Sequence, residues 1–162
     1  KKSAQDNIAR AQQRMAQAGA SPQAANRPPG SGPVADSTRT QARRYYEQGV
    51  QLITGRDYAN ALANLSAAVQ LEPTLTVGYV ARGSALIGLR RFQEAALDYG
   101  YAHKLDPNMA APLYGMAESY RGLGRGGDAR AWYEKYASSA APDVRTDLVS
   151  DARAKIEQLK NN

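Results

Sequence analysis

The chain contains no cysteine, which excludes a disulfide framework, a thiolate nucleophile and any zinc site built on thiolates. It has one histidine, one tryptophan and one phenylalanine. With His103 as the sole imidazole there is no second nitrogen ligand to begin a metal site. Its nearest acid in sequence, Asp106, falls on a helix-ending turn, so His103 reads as an exposed surface residue beside Lys104. No run approaches the roughly 18 apolar residues of a membrane span, and no secretory signal is visible. The glycine-rich stretch "GLGRGG" joins two helical patterns and lacks the Lys-Ser/Thr of a phosphate loop. Carboxylate pairs such as Asp147 with Asp151 and Glu94 with Asp98 sit at helical spacing on charged faces, where solvated acids are the default. Arg90 and Arg91 make only a small basic spot in a turn. These absences predict a protein that is not an enzyme, with no cofactor, no metal and no small-molecule substrate.

What is present divides into three regions. Net charge is +6, but residues 1–41 hold six basic against two acidic residues, while residues 42–162 hold fifteen against thirteen. The excess therefore sits in the amino-terminal arm, and the rest is nearly balanced, unlike a nucleic-acid docking face. Within residues 1–18, Ala4, Ile8, Ala11 and Met15 form a thin apolar stripe at helical steps, with Ser3 and Asp6 at capping-box spacing. Residues 19–39 carry Pro22, Pro28, Pro29, Pro33, Gly30 and Gly32 and read as a linker. Its "RPPGSGP" also fits a proline-rich ligand, a weaker reading than a plain tether. The chain opens on Lys1 rather than methionine, so removal of a preceding piece, by a peptidase or in cloning, is expected.

From residue 40 onward the pattern turns densely helical and repeats itself every 34 residues. At that offset Tyr45 meets Tyr79, Gly49 meets Gly83, and Leu52 meets Leu86 and then Tyr120. Ala61 meets Ala95 and Ala129; Leu65 meets Tyr99 and Tyr133; Ala68 meets Ala102, and Pro73 meets Pro107. Each period holds two amphipathic stretches: 41–54 with 58–71, 76–89 with 92–105, and 110–123 with 128–138. The breaks between partners admit only an antiparallel turn. Gly49, Gly83 and Ala117 on the first helices and Ala61, Ala95 and Ala129 on the second let paired backbones approach. Larger residues there would overpack the contact. Pro73 and Pro107 stop the second helices because proline cannot continue the hydrogen-bond ladder. Beyond the third pair, Val144, Leu148, Ala152, Ile156 and Leu159 form one apolar stripe opposite a charged face, as expected of a helix over 143–160 that covers the open end.

This order of aromatic, Gly, Leu or aromatic, Ala, aromatic, Ala, Pro resembles the tetratricopeptide repeat. The resemblance covers repeats at about 42–75, 76–109 and 110–141. It implies an all-α solenoid, a right-handed superhelix of helix-turn-helix units with a concave inner surface. The third repeat departs: Gly126 replaces the Phe92 type, Tyr136 stands where an alanine is expected, and Pro142 comes one residue late.

In such a fold the inner faces of the first helices line a groove. Carried over by the repeat offset, the lining rows are Tyr46, Val80, Tyr114; Val50, Ser84, Glu118; Ile53, Ile87, Arg121; and Glu47, Ala81, Gly115. Chaperone adaptors of this family grip a peptide's terminal carboxylate with Lys, Asn and Arg. The matching positions here are Tyr46, Val50, Ala81, Ala111 and Gly115, so that clamp is missing. The implied function is a protein-interaction adaptor that buries an apolar or aromatic-bearing segment, with Glu118 and Arg121 setting its direction. At about 25 cal/mol per Å2 of buried apolar area, less the cost of association, micromolar binding is expected for one short peptide. Two other readings stand beside it. The helix bearing Ile8, Ala11 and Met15 enters the chain's own groove or a neighbour's, or the basic arm touches nucleic acid or an anionic membrane. The tether ahead of repeats is similar to processed bacterial envelope proteins of secretion, pilus or motility assemblies, placing the chain in the periplasm or at the outer membrane; a cytoplasmic setting fits the composition as well.

Overall fold

A computed structural model describes residues 35–160. The residues Ile8, Ala11 and Met15, the basic arm and most of the expected linker lie outside that range. Seven helices run through the described residues: α1 Asp36–Thr54, α2 Tyr58–Leu71, α3 Thr76–Gly88, α4 Phe92–Leu105, α5 Ala111–Gly122, α6 Gly126–Ala137 and α7 Thr146–Lys160. Each helix packs on its neighbour in sequence, and α1 touches α3 as α3 touches α5, so the first helix of each pair forms one continuous inner layer.

Helix α1 begins at Asp36, ahead of the boundary expected at residue 40. Pro33 is the last breaker before it. Asp36 then places a carboxylate in the first turn, where the helix dipole favours negative charge, and the Thr40 hydroxyl donates to the Asp36 carbonyl at 2.9 Å. The turns inside the three pairs share one construction. Arg56, Arg90 and Gly124, one repeat apart, adopt positive φ of 60°, 59° and 73°. The following amides of Asp57, Arg91 and Arg125 donate back to Leu52, Leu86 and Tyr120 at 2.8–2.9 Å. That left-handed residue, flanked by a bond reaching five residues back, is a Schellman ending.

The alanine columns are the contact points between paired helices: Ala61, Ala95 and Ala129 are each fully buried. Opposite them a Cβ built on Gly49 would lie 2.5 Å from Leu65, and one on Gly83 would lie 2.7 Å from the Tyr99 ring. Successive repeats join in the same way, ring on bare backbone. Gly88 lies against the Tyr58 ring of the preceding repeat and Gly122 against Phe92, at 2.5 and 2.4 Å for a hypothetical Cβ.

The third repeat departs for a physical reason. Its next neighbour in the stack is α7 and not another inner helix, so no ring is needed where Gly126 stands. The Leu159 methyl comes to 3.2 Å of that position instead. Helix α6 starts at Gly126, two residues before the expected 128, one period after α4 starts at Phe92. Tyr136, in place of an alanine, is buried, and its hydroxyl accepts the Arg145 amide at 3.0 Å. The segment before α7 then reaches back. The Asp143 carboxylate accepts the Ala110 amide at 2.8 Å and the Ala111 amide at 2.9 Å, capping α5 from 32–33 residues away. This leaves α7 to start at Thr146 and not at residue 143. Its apolar stripe packs as expected, with Ala152 and Ile156 in a cluster with Tyr133 and Tyr136, and Val144, Leu148 and Leu159 around it.

Candidate functional site

The inner layer frames a cavity of about 320 Å3 between α3, α5 and the segment entering α7. Val80, Ser84 and Ile87 line one wall and Ala111, Tyr114, Gly115 and Glu118 the other; Tyr136, Asp143, Arg145 and Leu148 close its end. Tyr99 from α4 makes the floor. Its ring is wedged between two glycines: a Cβ on Gly83 would meet it at 2.7 Å and one on Gly115 at 2.2 Å. A side chain at either position would overlap the ring, which the other glycine holds from behind. The Tyr99 hydroxyl shares a hydrogen bond of 2.9 Å with Ser84 Oγ, and burial pushes its pKa up to about 12.

The carboxyl-terminal end of the groove is charged and closed on itself. Glu118 accepts hydrogen bonds from the Tyr133 hydroxyl, from Lys155 Nζ at 2.6 Å and from Arg121 at 3.0 Å. Burial alone would raise the Glu118 pKa, but those three donors outweigh it and hold the carboxyl below its ordinary range. Lys155 also lies 2.7 Å from Asp151 and donates to the Tyr114 hydroxyl at 2.9 Å, while that hydroxyl donates to Asp151. Burial lowers the Lys155 pKa, and the flanking Asp151 and Glu118 carboxylates more than compensate, so the net shift is upward. The Tyr114 pKa is raised, chiefly by burial and then by its bond to Asp151. The ring itself packs edge-on against Tyr133 and Tyr136 at 5.7 and 5.3 Å.

The expected lining residues therefore separate. Val80, Ser84, Tyr114 and Glu118 border the cavity. Tyr46 is half-buried against the cluster of Ala61, Leu65, Ala81 and Ala85, away from the cavity. Ala81 itself is buried in that cluster and faces no hollow, a correction to the expectation, because α2 and α3 meet through it. Val50 and Glu47 are exposed on α1. Arg121 is exposed and bonds Glu118 at 3.0 Å. His103 is also not the open surface residue expected: it is half-buried, edge-on to Trp132 at 6.2 Å, with Nδ1 enclosed and lacking a hydrogen-bond partner among the described residues.

Sequence reasoning missed Tyr99 as floor, and Asp143, Arg145, Leu148, Asp151 and Lys155 as the closed end. One signal for part of this lies in the chain. Tyr99 bonds Ser84 and Tyr133 bonds Glu118, each 15 residues earlier, while the residue 15 before the apolar Leu65 is the apolar Val50. A hydroxyl on the second helix is matched by a polar residue on the first.

Among the described residues no three acids or histidines gather as a metal site, and no helix is long and apolar enough to cross a membrane. No family model matches the chain, and no curated protein matches it. Solved structures do. The TPR domain of Arabidopsis OM64 superposes with a TM-score of 0.69 at 18% identity, over 77% of this chain and 98% of that one. The TPR2B domain of yeast Sti1, in complex with pHsp70, gives 0.70 at 20% identity over 75% and 98%. PcrH of Pseudomonas aeruginosa, in complex with the chaperone-binding region of PopD, gives 0.68 at 19% over 74% and 90%. The chain has the tetratricopeptide-repeat fold, an all-α solenoid of three helix pairs closed by α7.

Proposed function

We propose that the chain is a non-enzymatic interaction module that holds a segment of another protein on its concave face. The observation that carries the reading is the cavity floored by Tyr99. It is concave, walled by Val80, Ile87, Tyr114 and Leu148, and sized for one bulky side chain. The polar groups at its floor and wall are already paired, Tyr99 with Ser84 and Glu118 with Tyr133 and Lys155, so an apolar or aromatic anchor enters there without stranding a charge. Similar solved structures hold polypeptide partners: TPR2B of Sti1 with pHsp70, PcrH with a region of PopD, and RPAP3 with the HSP90 peptide SRMEEVD. They support a protein partner here. The closed, self-paired Glu118–Lys155 end favours an anchor that is apolar over one that is charged. A larger bacterial assembly of secretion, pilus or motility type belongs to the same proposal.

The test is a filled cavity. Ala111→Phe places a ring at the cavity wall, and Val80→Glu places a charge in it. Both variants are expected to keep their helical circular dichroism and to lose the proteins that the wild-type chain retains from its native organism. Peptides from a retained protein are then titrated, with at least about a tenfold loss expected for either variant. Unchanged capture and affinity by both folded variants would dismiss the groove.

A further inference from the structure

We propose that two copies of this chain pair through the outer face of α4, antiparallel across a two-fold axis. Glu94, Leu97, Tyr101 and Lys104 follow one another at steps of three, four and three, which puts them on a single stripe of the helix. All four are exposed, and Leu97 and Tyr101, at 68% and 43%, are the most exposed large apolar residues among those described. The stripe reads the same when turned end to end about residue 99. Glu94 changes places with Lys104, and Leu97 with Tyr101. An isologous contact requires this self-complementarity: each surface must fit itself after a half turn. In the antiparallel pair, a carboxylate meets an ammonium at both ends and Leu97 lies over Gly100 and Tyr101 of the second copy.

Two independent features fit that occupant. Gly100 lies inside α4, where glycine weakens a helix relative to alanine. Its own surroundings do not demand it, since a Cβ there would find only the Met116 sulfur, at 3.9 Å. The bare backbone instead opens a cavity of about 410 Å3 bordered by Ala96, Leu97, Met116, Tyr120 and Leu123, room for a leucine from outside. Tyr101 is already fixed, edge-on to Tyr79 at 4.7 Å, so little freedom is lost when a second copy covers it. Charge also selects among occupants. Lys104, which has no ion-pair partner among the described residues, and Arg125 border the cavity, so the chain's own basic arm is repelled. The Glu94 carboxylate, bonded only to exposed Arg91 beside it, remains open to a second cation. Tyr99 points about 200° around the helix from Leu97, so this pairing leaves the concave cavity open and does not depend on its having a ligand.

One helix-on-helix contact falls near the low end of specific interfaces, about 1,000 Å2, so a weak dimer is expected. Sedimentation equilibrium of the full chain, from about 10 to about 500 µM, should pass from one mass to twice that mass. Leu97→Glu should weaken association by at least about tenfold and Lys104→Glu by about threefold, both with unchanged helicity. Glu94→Lys combined with Lys104→Glu should restore it to within about twofold, because opposite charges again face across the axis. Gly100→Leu, whose Cβ meets only the Met116 sulfur at ordinary contact distance, should block pairing while melting no earlier than wild type. A wild-type chain that stays monomeric throughout, a Leu97→Glu chain that pairs like wild type, or a double swap no better than Lys104→Glu alone would each overturn the proposal.

Discussion

Leu65 and Tyr133 occupy the same position of the first and third repeats, yet they build opposite ends of the molecule. Leu65 sits on Gly49 beside an exposed Val50, and no hydroxyl there reaches for a polar partner. Tyr133 carries a hydroxyl to Glu118, which holds Lys155 and Arg121, and that end is a charged knot tying α5 and α6 to α7. Tyr99, between them, has a neutral partner in Ser84. The polarity of the groove thus follows the second helices rather than any partner. A polar residue facing a groove can be there for the layer behind it.

The comparison breaks most visibly at the glycines. Gly115→Ala pushes a Cβ into the Tyr99 ring at 2.2 Å, and the ring cannot retreat because Gly83 grips its other side. The cost should lie at the upper end of the overpacking range, about 3 kcal/mol. Gly49→Ala meets Leu65, whose methyls can rotate away, and should cost about 1 kcal/mol. Urea unfolding of the two variants measures the difference. Equal losses would mean that the Tyr99 ring is not held as described.

The charged end comes next. Lys155→Met leaves Asp151 without its cation and Glu118 with Arg121 alone, and a loss of about 2 kcal/mol is expected, below the value for a fully buried pair because the site is partly wet. Ser84→Ala removes one neutral hydrogen bond from Tyr99 and should cost about 1 kcal/mol. Acid sharpens the contrast. Glu118 titrates below its unfolded value, so its stabilising contribution is present above the ordinary carboxylate pKa and is lost as pH falls through the depressed folded value. Between about pH 5 and pH 3, wild type should lose stability faster than Glu118→Gln. Parallel acid curves for the two would show that Glu118 is not the group responsible.

The period, the alanine contacts and the covering helix were legible because each rests on a local rule: helical spacing, small residues at close approach, a breaker at the end. The far ends of long-range contacts were not. Nothing in the neighbourhood of Asp143 announces that its carboxylate will cap α5, nor does Lys155 announce Glu118, 37 residues away. The openness of each groove row was illegible for the same reason. Repeat offset assigns Ala81 and Glu118 to inner positions, but whether such a position is open depends on what the neighbouring helix places against it: α2 covers Ala81, and α7 engages Glu118.

The smallest expected effect compares the three turns with one another. Arg56 and Arg90 hold left-handed backbone that glycine adopts freely, and Gly124 holds the same conformation in the third repeat. A side chain there strains against its own carbonyl, costing about 1 kcal/mol, while glycine gives some of that back by loosening the unfolded chain. Arg56→Gly and Arg90→Gly should therefore stabilise by about 0.5 kcal/mol each, and Gly124→Ala should destabilise by about the same amount. Arg90 carries an opposing contribution, since its guanidinium lies 5.8 Å from the Phe92 ring centre, so its gain should be the smaller of the two. Thermal melts rank the three; a stabilised Gly124→Ala would show that the third turn does not keep its left-handed residue in solution.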